Sequence, residues 1–327
     1  MRGLGLPGME TVERGERGIA LVMVLIGLTL LLTVAGQFAA AMRLEGITTL
    51  NFRATLSATY LAEAAYQRAV AEILPNYLAQ ELDQLSLLVF RRAQIESPKA
   101  PAREDLALGP GRFSYRITDE QARFNLNSAL ATPENLHRLL SELGVERSTR
   151  DVIVDSILDW RDPNEDHRLN GAESDYYLSL PVPYRSKNAD FDSVEELLQV
   201  QGMTRQILYG QPGSPGLAEY VTVVGANAIN VNTVSPLLLR ALGCAQPEAD
   251  VLIAGRAYLS PQSVTAQCPR GVQRVVRSET FRIEATGEVP GQGRRTLVAI
   301  VQRKRDRDGT DRVTPLRFAW NVEEESR

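Results

Sequence analysis

The chain has 327 residues, with 36 lysines and arginines against 40 aspartates and glutamates, for a formal net charge of −4. A charge so close to balance gives no bulk electrostatic argument for binding nucleic acid. About 250 residues follow the N-terminal helical region described next, which is enough for one large or two small domains.

Residues 19–42 carry no ionisable side chain. As a helix they would be about 36 Å long, more than the roughly 30 Å of a bilayer's hydrocarbon core, so the sequence predicts one membrane passage. A secretory signal peptide would have a shorter apolar core with its cleavage site after it. Here residues 1–18 are polar and end at Gly18, directly before Ile19. Two interpretations stay open on these residues alone: a prepilin-type leader cut between Gly18 and Ile19, or an uncleaved signal anchor.

The apolar segment continues into a second helical pattern. No proline interrupts residues 43–74, and apolar residues recur there at three- and four-residue steps, at Ile47, Leu50, Ala54, Ala58, Leu61, Ala65, Ala69 and Ile73. The sequence therefore predicts one helix from Ile19 to Leu74, stopped by Pro75, with its first half in lipid and its second half packed on a globular head. This lollipop resembles the type IV pilin and pseudopilin family, whose prepilin peptidase cuts where Gly18 stands.

The head begins with a predicted loop over 97–110 and a predicted strand over 111–118, where apolar and polar residues alternate. Residues 219–224 are a candidate for a further strand or for the edge of a sheet. Alternation also predicts strands at 280–289 and 296–301, joined by a hairpin turn at 290–293. The charged residues 304–327 are expected to form a mobile tail.

An internal repeat lies between these strands. Residues 124–128 and 229–233 share the pattern Asn-x-Asn-Ser/Thr, and each is followed by two apolar helical segments. Ser128 and Thr233 suit helix N-caps, while Gly144 and Gly243 suit helix C-termini. A related half-unit at 191–204 begins with a capping box of Ser193 and Glu196. The sequence predicts a helical domain of repeated helix pairs over 124–270, inserted into an α/β domain made of 43–123 and 271–303.

The acidic loop 159–175 is the strongest local chemical signal. Counted from Asp162, oxygen-bearing side chains stand at the EF-hand ligand positions 1, 3, 5, 9 and 12, occupied by Asp162, Asn164, Asp166, Asn170 and Glu173. Arg168 at position 7 could offer its backbone carbonyl. Because His167 replaces the glycine of position 6, we expect a calcium-stabilised loop and not an EF-hand, with Asp159 and Asp175 as further candidate ligands. The alternative is a solvated acidic turn without a metal.

The chain has two cysteines, Cys244 and Cys268. In an oxidising compartment they could pair and close a loop of about 25 residues, which would stabilise the fold by roughly 3 kcal/mol. The alternative is two unrelated buried thiols.

Several of these segments together carry a more specific resemblance, namely 119–127, 158–162, 171–177, 193–197, 202–204 and 229–233. They resemble the minor pseudopilin K family of bacterial type II secretion systems (general secretion pathway protein K), over essentially the whole chain from Gly18 to about Val301. The resemblance implies an α+β fold in which a long helix packs on an antiparallel sheet and an all-helical domain is inserted in that sheet. It also implies calcium at the acidic loop and a place at the tip of a periplasmic pseudopilus. Other minor pseudopilins and the prepilin peptidase are the implied partners.

One position distinguishes the subtype. Pilins generally carry a glutamate at the fifth residue of the mature chain, where this sequence has Met23. A charged carboxylate in lipid is costly unless it has a partner. The K type lacks this glutamate, so Met23 favours a minor subunit over a repeating one.

Two other function classes compete with this interpretation. Residues 197–204 are similar to a helix-hairpin-helix, so a membrane-anchored DNA-binding receptor is the alternative function, although Thr204 stands where the hairpin needs a glycine. An enzyme is disfavoured because the sequence has only His137 and His167 and shows no nucleophile elbow, zinc ligand set or phosphate loop. We therefore expect a non-enzymatic assembly protein with one pass through the inner membrane, a cytoplasmic N-terminus, a periplasmic head and no nucleic-acid partner.

Overall fold

The computed structural model describes residues 13–93, 99–264, 268–269 and 271–321. Its first element is the helix α1, Glu13–Ile73. The remaining helices are α2 Pro133–Glu142, α3 Arg147–Arg161, α4 Ser174–Leu178, α5 Arg205–Tyr209, α6 Pro236–Ala241 and α7 Gln246–Ala254. Short 3₁₀ helices cover Glu120–Ala122, Val194–Gln199, Leu217–Glu219 and Pro261–Ser263.

The strands are short except in the main sheet. In chain order they are β1 Ala79–Leu82, β2 Leu88–Arg91, β3 Leu106–Leu108, β4 Gly111–Asp119, β5 Phe124–Asn125, β6 Gly210–Gln211, β7 Ser214–Pro215, β8 Val221–Thr222, β9 Ala228–Asn230, β10 Gln273–Val275, β11 Thr280–Val289, β12 Gly293–Arg305 and β13 Asp311–Asn321.

The long helix is confirmed, and its surroundings change along its length. Every residue of α1 from 19 to 53 is exposed, and burial begins at Ala54. Ile47 and Leu50, predicted to belong to the packed stripe, are 49% and 63% exposed because the sheet reaches the helix only near Ala54. The apolar, exposed first part of α1 is long enough to cross a membrane.

The main sheet is antiparallel, with the strand order β13-β12-β11-β4-β3. Fully buried alanines of α1, among them Ala58 and Ala62, pack on one face of it. A β-carbon on Gly287 would lie 2.1 Å from the Ala58 carbonyl oxygen, so glycine is what permits the close approach of helix and sheet. The predicted strands at 111–118, 280–289 and 296–301 and the hairpin between the last two are confirmed.

The expected mobile tail was wrong for residues 311–321, which form β13, and β12 itself continues to Arg305. Charged residues in this segment obscure its alternation of apolar and polar side chains. Phe318 faces α1, and its ring meets the Tyr66 ring edge-on with a centroid distance of 5.5 Å. The turn between β12 and β13 closes at Gly309, whose φ is +84°. Residues 322–327 of the predicted tail lie outside the described residues. Likewise, β3 forms inside the predicted loop 97–110.

The repeat is confirmed in the contacts of its second asparagines. The Asn127 side chain hydrogen-bonds the backbone N–H and carbonyl of Phe191 at 2.9 and 2.8 Å. Asn232 makes the same two bonds to Tyr258 at 3.0 and 2.9 Å. Each unit thus uses one amide side chain to hold a segment that lies beyond its helix pair, α2 with α3 or α6 with α7.

The starts of the repeat helices differ from the prediction. The N-caps are Thr132 and Ser235, not Ser128 and Thr233, because each helix begins at the proline that follows its cap. The Ser128 hydroxyl instead donates to the Asn125 carbonyl at 2.7 Å. At the other end the prediction is confirmed: Gly144 and Gly243 follow their helices with φ of +75° and +86°.

The inserted domain is not all-helical. Its first asparagine segments are the strands β5 and β9, which pair in parallel with β8 and β10. Residues 219–224 therefore do not join the main sheet: they contain β8 and pair within the inserted domain. One apolar core runs from Phe124 to Val276, a little beyond the predicted boundary at 270, and a second lies between α1 and the main sheet.

Candidate functional site

The acidic loop leaves the C-terminal end of α3 and returns at α4. Asp159, in the last turns of α3, is completely buried. Its Oδ2 atom accepts the backbone N–H of Arg168 at 3.0 Å. The Arg168 guanidinium pairs with the Oδ1 atom of Asp159 and, at 2.7 Å, with Asp162. A cationic side chain from within the loop therefore already balances two of the predicted calcium ligands.

Other predicted ligands point elsewhere. Asn170 donates from both its backbone and its side chain to Asp155, at 3.1 and 3.0 Å. The Asp175 carboxylate accepts the Tyr176 N–H at 2.7 Å. The EF-hand spacing in the sequence is therefore not reproduced as one ligand shell in space.

The middle of the loop is held by its own turns. Asn164 donates to Asp162 at 2.7 Å and accepts the backbone N–H of Asp166 at 2.8 Å. Among the described residues, no group of three or more histidine, cysteine, aspartate or glutamate side chains is arranged so that it could hold a metal ion.

Glu173 is the exception that supports a cation. It is 1% exposed, and in the described part of the chain neither oxygen of its carboxylate has a hydrogen-bond partner. Burial raises its pKa to about 7, the nearby Ser186 hydroxyl opposes that rise, and the charges of Asp159, Glu165 and Asp162 add to it. A buried carboxylate without a donor is costly unless it is protonated or meets a cation. Glu173 and these three acids offer carboxylate oxygens, the ligand type that calcium prefers, although the other three carboxylates already accept hydrogen bonds.

Glu165 was missed by the sequence reasoning because it falls at position 4 of the EF-hand count, which is not a ligand position. Its carboxylate accepts the N–H and hydroxyl of Ser174 at 3.2 and 3.1 Å and the Asn188 amide at 3.0 Å. For Arg168 the spacing predicts only a contact through its backbone carbonyl. The signal that could have found its role is its charge, since it is a basic residue among clustered acids.

The two cysteines are joined. Cys244 and Cys268 form a disulfide with a Cα–Cα distance of 5.3 Å, and both are buried in the core of the inserted domain. The bond ties the connection between α6 and α7 to the segment that leads to β10.

The predicted processing site lies near the start of α1. Gly18 and Ile19 both fall within α1, and Ile19 is 61% exposed. Residues 1–12 of the predicted leader lie outside the described residues.

The helix-hairpin-helix alternative is not supported. Its first element is a 3₁₀ helix, Val194–Gln199, and its second is the five-residue α5. The Thr204 hydroxyl accepts the Ile207 N–H at 3.2 Å, so it caps α5. This segment packs into the core through Leu197, Val200 and Leu208.

The chain is similar to known proteins over most of its length. The family model for type II secretion system (T2SS) protein K matches residues 122–224, which include the acidic loop. The type II secretion system protein K of Klebsiella pneumoniae is 30% identical over 272 residues, covering 76% of each chain. The protein of the same name from Pectobacterium carotovorum subsp. carotovorum is 28% identical over 236 residues, covering 67% of each chain.

The fold is also known from a solved structure. A chain of the crystal structure of the GspK-GspI-GspJ complex from the enterotoxigenic Escherichia coli type 2 secretion system matches with a TM-score of 0.58 and 20% identity. The match covers 86% of this chain and 100% of that chain.

Proposed function

Because the chain belongs to the type II secretion system protein K family, we propose that it acts as a minor pseudopilin at the tip of the pseudopilus. The observation that supports this position most directly is the combination of an exposed apolar helix with a bulky inserted domain on the head. The helix can pack among other pseudopilin helices below it. The inserted domain would block a further subunit from adding above it, which makes this chain an initiator or cap of the fibre.

The proposed partners are other minor pseudopilins. The related solved structure is itself a complex, described as the GspK-GspI-GspJ complex of a type 2 secretion system. In this chain several residues of α1 beyond the predicted membrane segment are apolar and exposed, among them Leu44 at 67%, Leu50 at 63% and Phe52 at 67%. Apolar side chains at this density on a helix favour a partner helix over water.

We also propose the membrane arrangement and processing that the family expectation implies. Residues 19–42 hold the chain in the inner membrane, with the N-terminus in the cytoplasm and the head in the periplasm. Prepilin peptidase removes residues 1–18 by cutting between Gly18 and Ile19. The intact mass of chain extracted from membranes would show the loss of these residues, and full-length mass in assembled protein would contradict the cut.

Calcium at the acidic loop is part of the proposal. The unpartnered carboxylate of Glu173, with Asp159, Asp162 and Glu165 around it, supports it. Asn164, Asp166, Asn170 and Asp175 would shape the loop without being the central ligands. The bound ion would stabilise the loop between α3 and α4, and it takes no part in catalysis, since we propose a structural and not an enzymatic role.

Co-purification tests the assembly role. The full chain is co-expressed with the other minor pseudopilins of the same system, extracted in mild detergent and captured through a tag on its head. We expect the other minor pseudopilins to be captured with it, and their absence would contradict the tip complex. Ile47→Glu combined with Leu50→Glu should abolish capture. The control is Leu85→Glu, which changes a leucine between β1 and β2 that is more exposed (78%) than either and should leave capture intact.

A further inference from the structure

The inserted domain and the main sheet have separate apolar cores. One core lies among residues 124–276, and the other lies between α1 and the strands β4, β11 and β12. Domains that do not share a core and whose interface is not large and hydrophobic are expected to move relative to each other.

A buried polar cluster marks where the two domains meet. Asp119, the last residue of β4, is 5% exposed. Its Oδ2 atom accepts three hydrogen bonds, from the Asn230 amide at 2.9 Å and from the hydroxyls of Thr233 and Ser278 at 2.7 Å each. Gln80 also bonds to Ser278, donating to its carbonyl at 3.0 Å and accepting its N–H at 2.7 Å. We call Asp119, Asn230, Thr233, Ser278 and Gln80 the junction cluster.

The junction cluster lies at the two chain crossings between the domains. Asp119 directly precedes the segment that enters the inserted domain, and Ser278 lies between β10 and β11, where the chain returns to the sheet. Rotation of the inserted domain about this point moves these groups least. The junction cluster is therefore placed where a pivot would lie, and its polar groups already bond to one another and so can stay in contact during a rotation.

Away from the pivot a narrow cleft of about 330 Å³ lies between the domains, and Val223 and Ile300 on its two walls are buried. Val194, Glu195 and Val223 line it from the inserted domain, and Val298, Ile300 and Ala319 line it from the sheet. These sheet residues alternate with the ones that face α1, so the cleft lies on the opposite face of the sheet. Arg317 of β13 crosses it and donates to the Asp192 carbonyl at 2.5 Å.

We propose that the inserted domain turns as a unit about the junction cluster and that Arg317 holds it in the observed position over the cleft. Turning away breaks the contact between Arg317 and Asp192 and keeps the hydrogen bonds to Asp119. Because α1 is fixed to the sheet, this motion changes the direction of the bulky domain relative to the long helix.

Distance measurement between two spin labels tests the hinge in the full chain in detergent. One label is attached through Gln206→Cys in the inserted domain and the other through Arg116→Cys on β4. Both residues are exposed, and the native cysteines are blocked by their disulfide. Arg317→Ala should broaden the distance distribution or shift its centre. The matched control Arg312→Ala removes an exposed arginine of the same strand that pairs with Asp306 and should leave the distribution unchanged.

A cross-link and a melting curve distinguish turning of the inserted domain from its unfolding. Glu195→Cys with Ala319→Cys places one thiol on each wall of the cleft, and oxidation of this pair should narrow the distribution again in the Arg317→Ala background. An Arg317→Ala distribution identical to that of the parent would overturn the hinge. A broader distribution accompanied by a lower melting temperature would overturn it too, because the domain would then be unfolding and not turning.

Discussion

A β-carbon on Gly171 would lie 1.8 Å from the Oδ2 atom of Asp159. That oxygen cannot easily move, because Asp159 is buried on α3 and the same atom accepts the Arg168 N–H at 3.0 Å. The acidic loop therefore closes onto the end of α3 only if residue 171 has no side chain.

Gly171→Ala should lower the free energy of unfolding of the head by about 1–3 kcal/mol, as overpacking of a buried contact does. Chemical denaturation followed by circular dichroism measures it. The control is Gly293→Ala, where the β-carbon would meet its nearest neighbour at 3.9 Å and the free energy should hardly change. Equal stability of both variants would mean that the loop can rearrange around Asp159.

Calcium should raise the melting temperature of the wild-type chain relative to chelator, because an ion that binds the folded loop stabilises it by mass action. Glu173→Gln should abolish that increment, since it removes the buried carboxylate that has no other partner. Asp175→Asn should keep it, because Asp175 is engaged with the Tyr176 N–H. Identical wild-type melting curves in calcium and chelator would leave a solvated acidic turn as the explanation.

The pKa of Glu173 predicts a pH dependence of the metal-free chain. Burial raises this pKa from 4.5 to about 7, so the folded state binds the proton more tightly than the unfolded state between these values. The contribution to stability is therefore full below the unfolded pKa and is lost as the pH rises through about 7. In chelator, the stability of the wild type relative to Glu173→Gln should fall between pH 5 and pH 8, values that bracket this raised pKa. A difference that is flat over this range would contradict the buried, unpartnered carboxylate.

Reduction of the disulfide between Cys244 and Cys268 should destabilise the inserted domain by about 3 kcal/mol, the chain-entropy value for a loop of this size. Paired Cys244→Ser and Cys268→Ser should reproduce that loss and become insensitive to reductant. Urea unfolding with and without reductant provides the comparison. If the wild type unfolds identically under both conditions, the bond is absent or does not constrain the unfolded chain.

Features with a long, uninterrupted pattern could be predicted from the sequence. The helix α1 follows from apolar spacing over more than fifty residues; its C-terminal end at Ile73 is confirmed to within a residue, while its start at Glu13 lies six residues before the predicted Ile19. The hairpin of β11 and β12 follows from alternation on both sides of a glycine-containing turn. The glycines that end α2 and α6 follow from a positive φ that other residues avoid.

The candidate site was less accessible to sequence reasoning because spacing along the chain does not tell which side chains turn inward. The Arg168 guanidinium pairs with Asp162, where the spacing predicts a metal, and the Asn170 amide donates to Asp155 outside the loop. Glu165, off the expected ligand positions, joins the group around Glu173. Similarly, β13 was hidden because the charged residues of an edge strand resemble those of a free tail.

The measurement that tests the central claim most directly is the position of this chain on assembled pseudopili. Fibres are sheared from cells that overproduce the major pseudopilin and labelled with gold-conjugated antibody against the inserted domain. Electron microscopy should show label at one end of each fibre, because the inserted domain blocks further addition there. Label distributed along the fibre would show a repeating subunit and contradict the account.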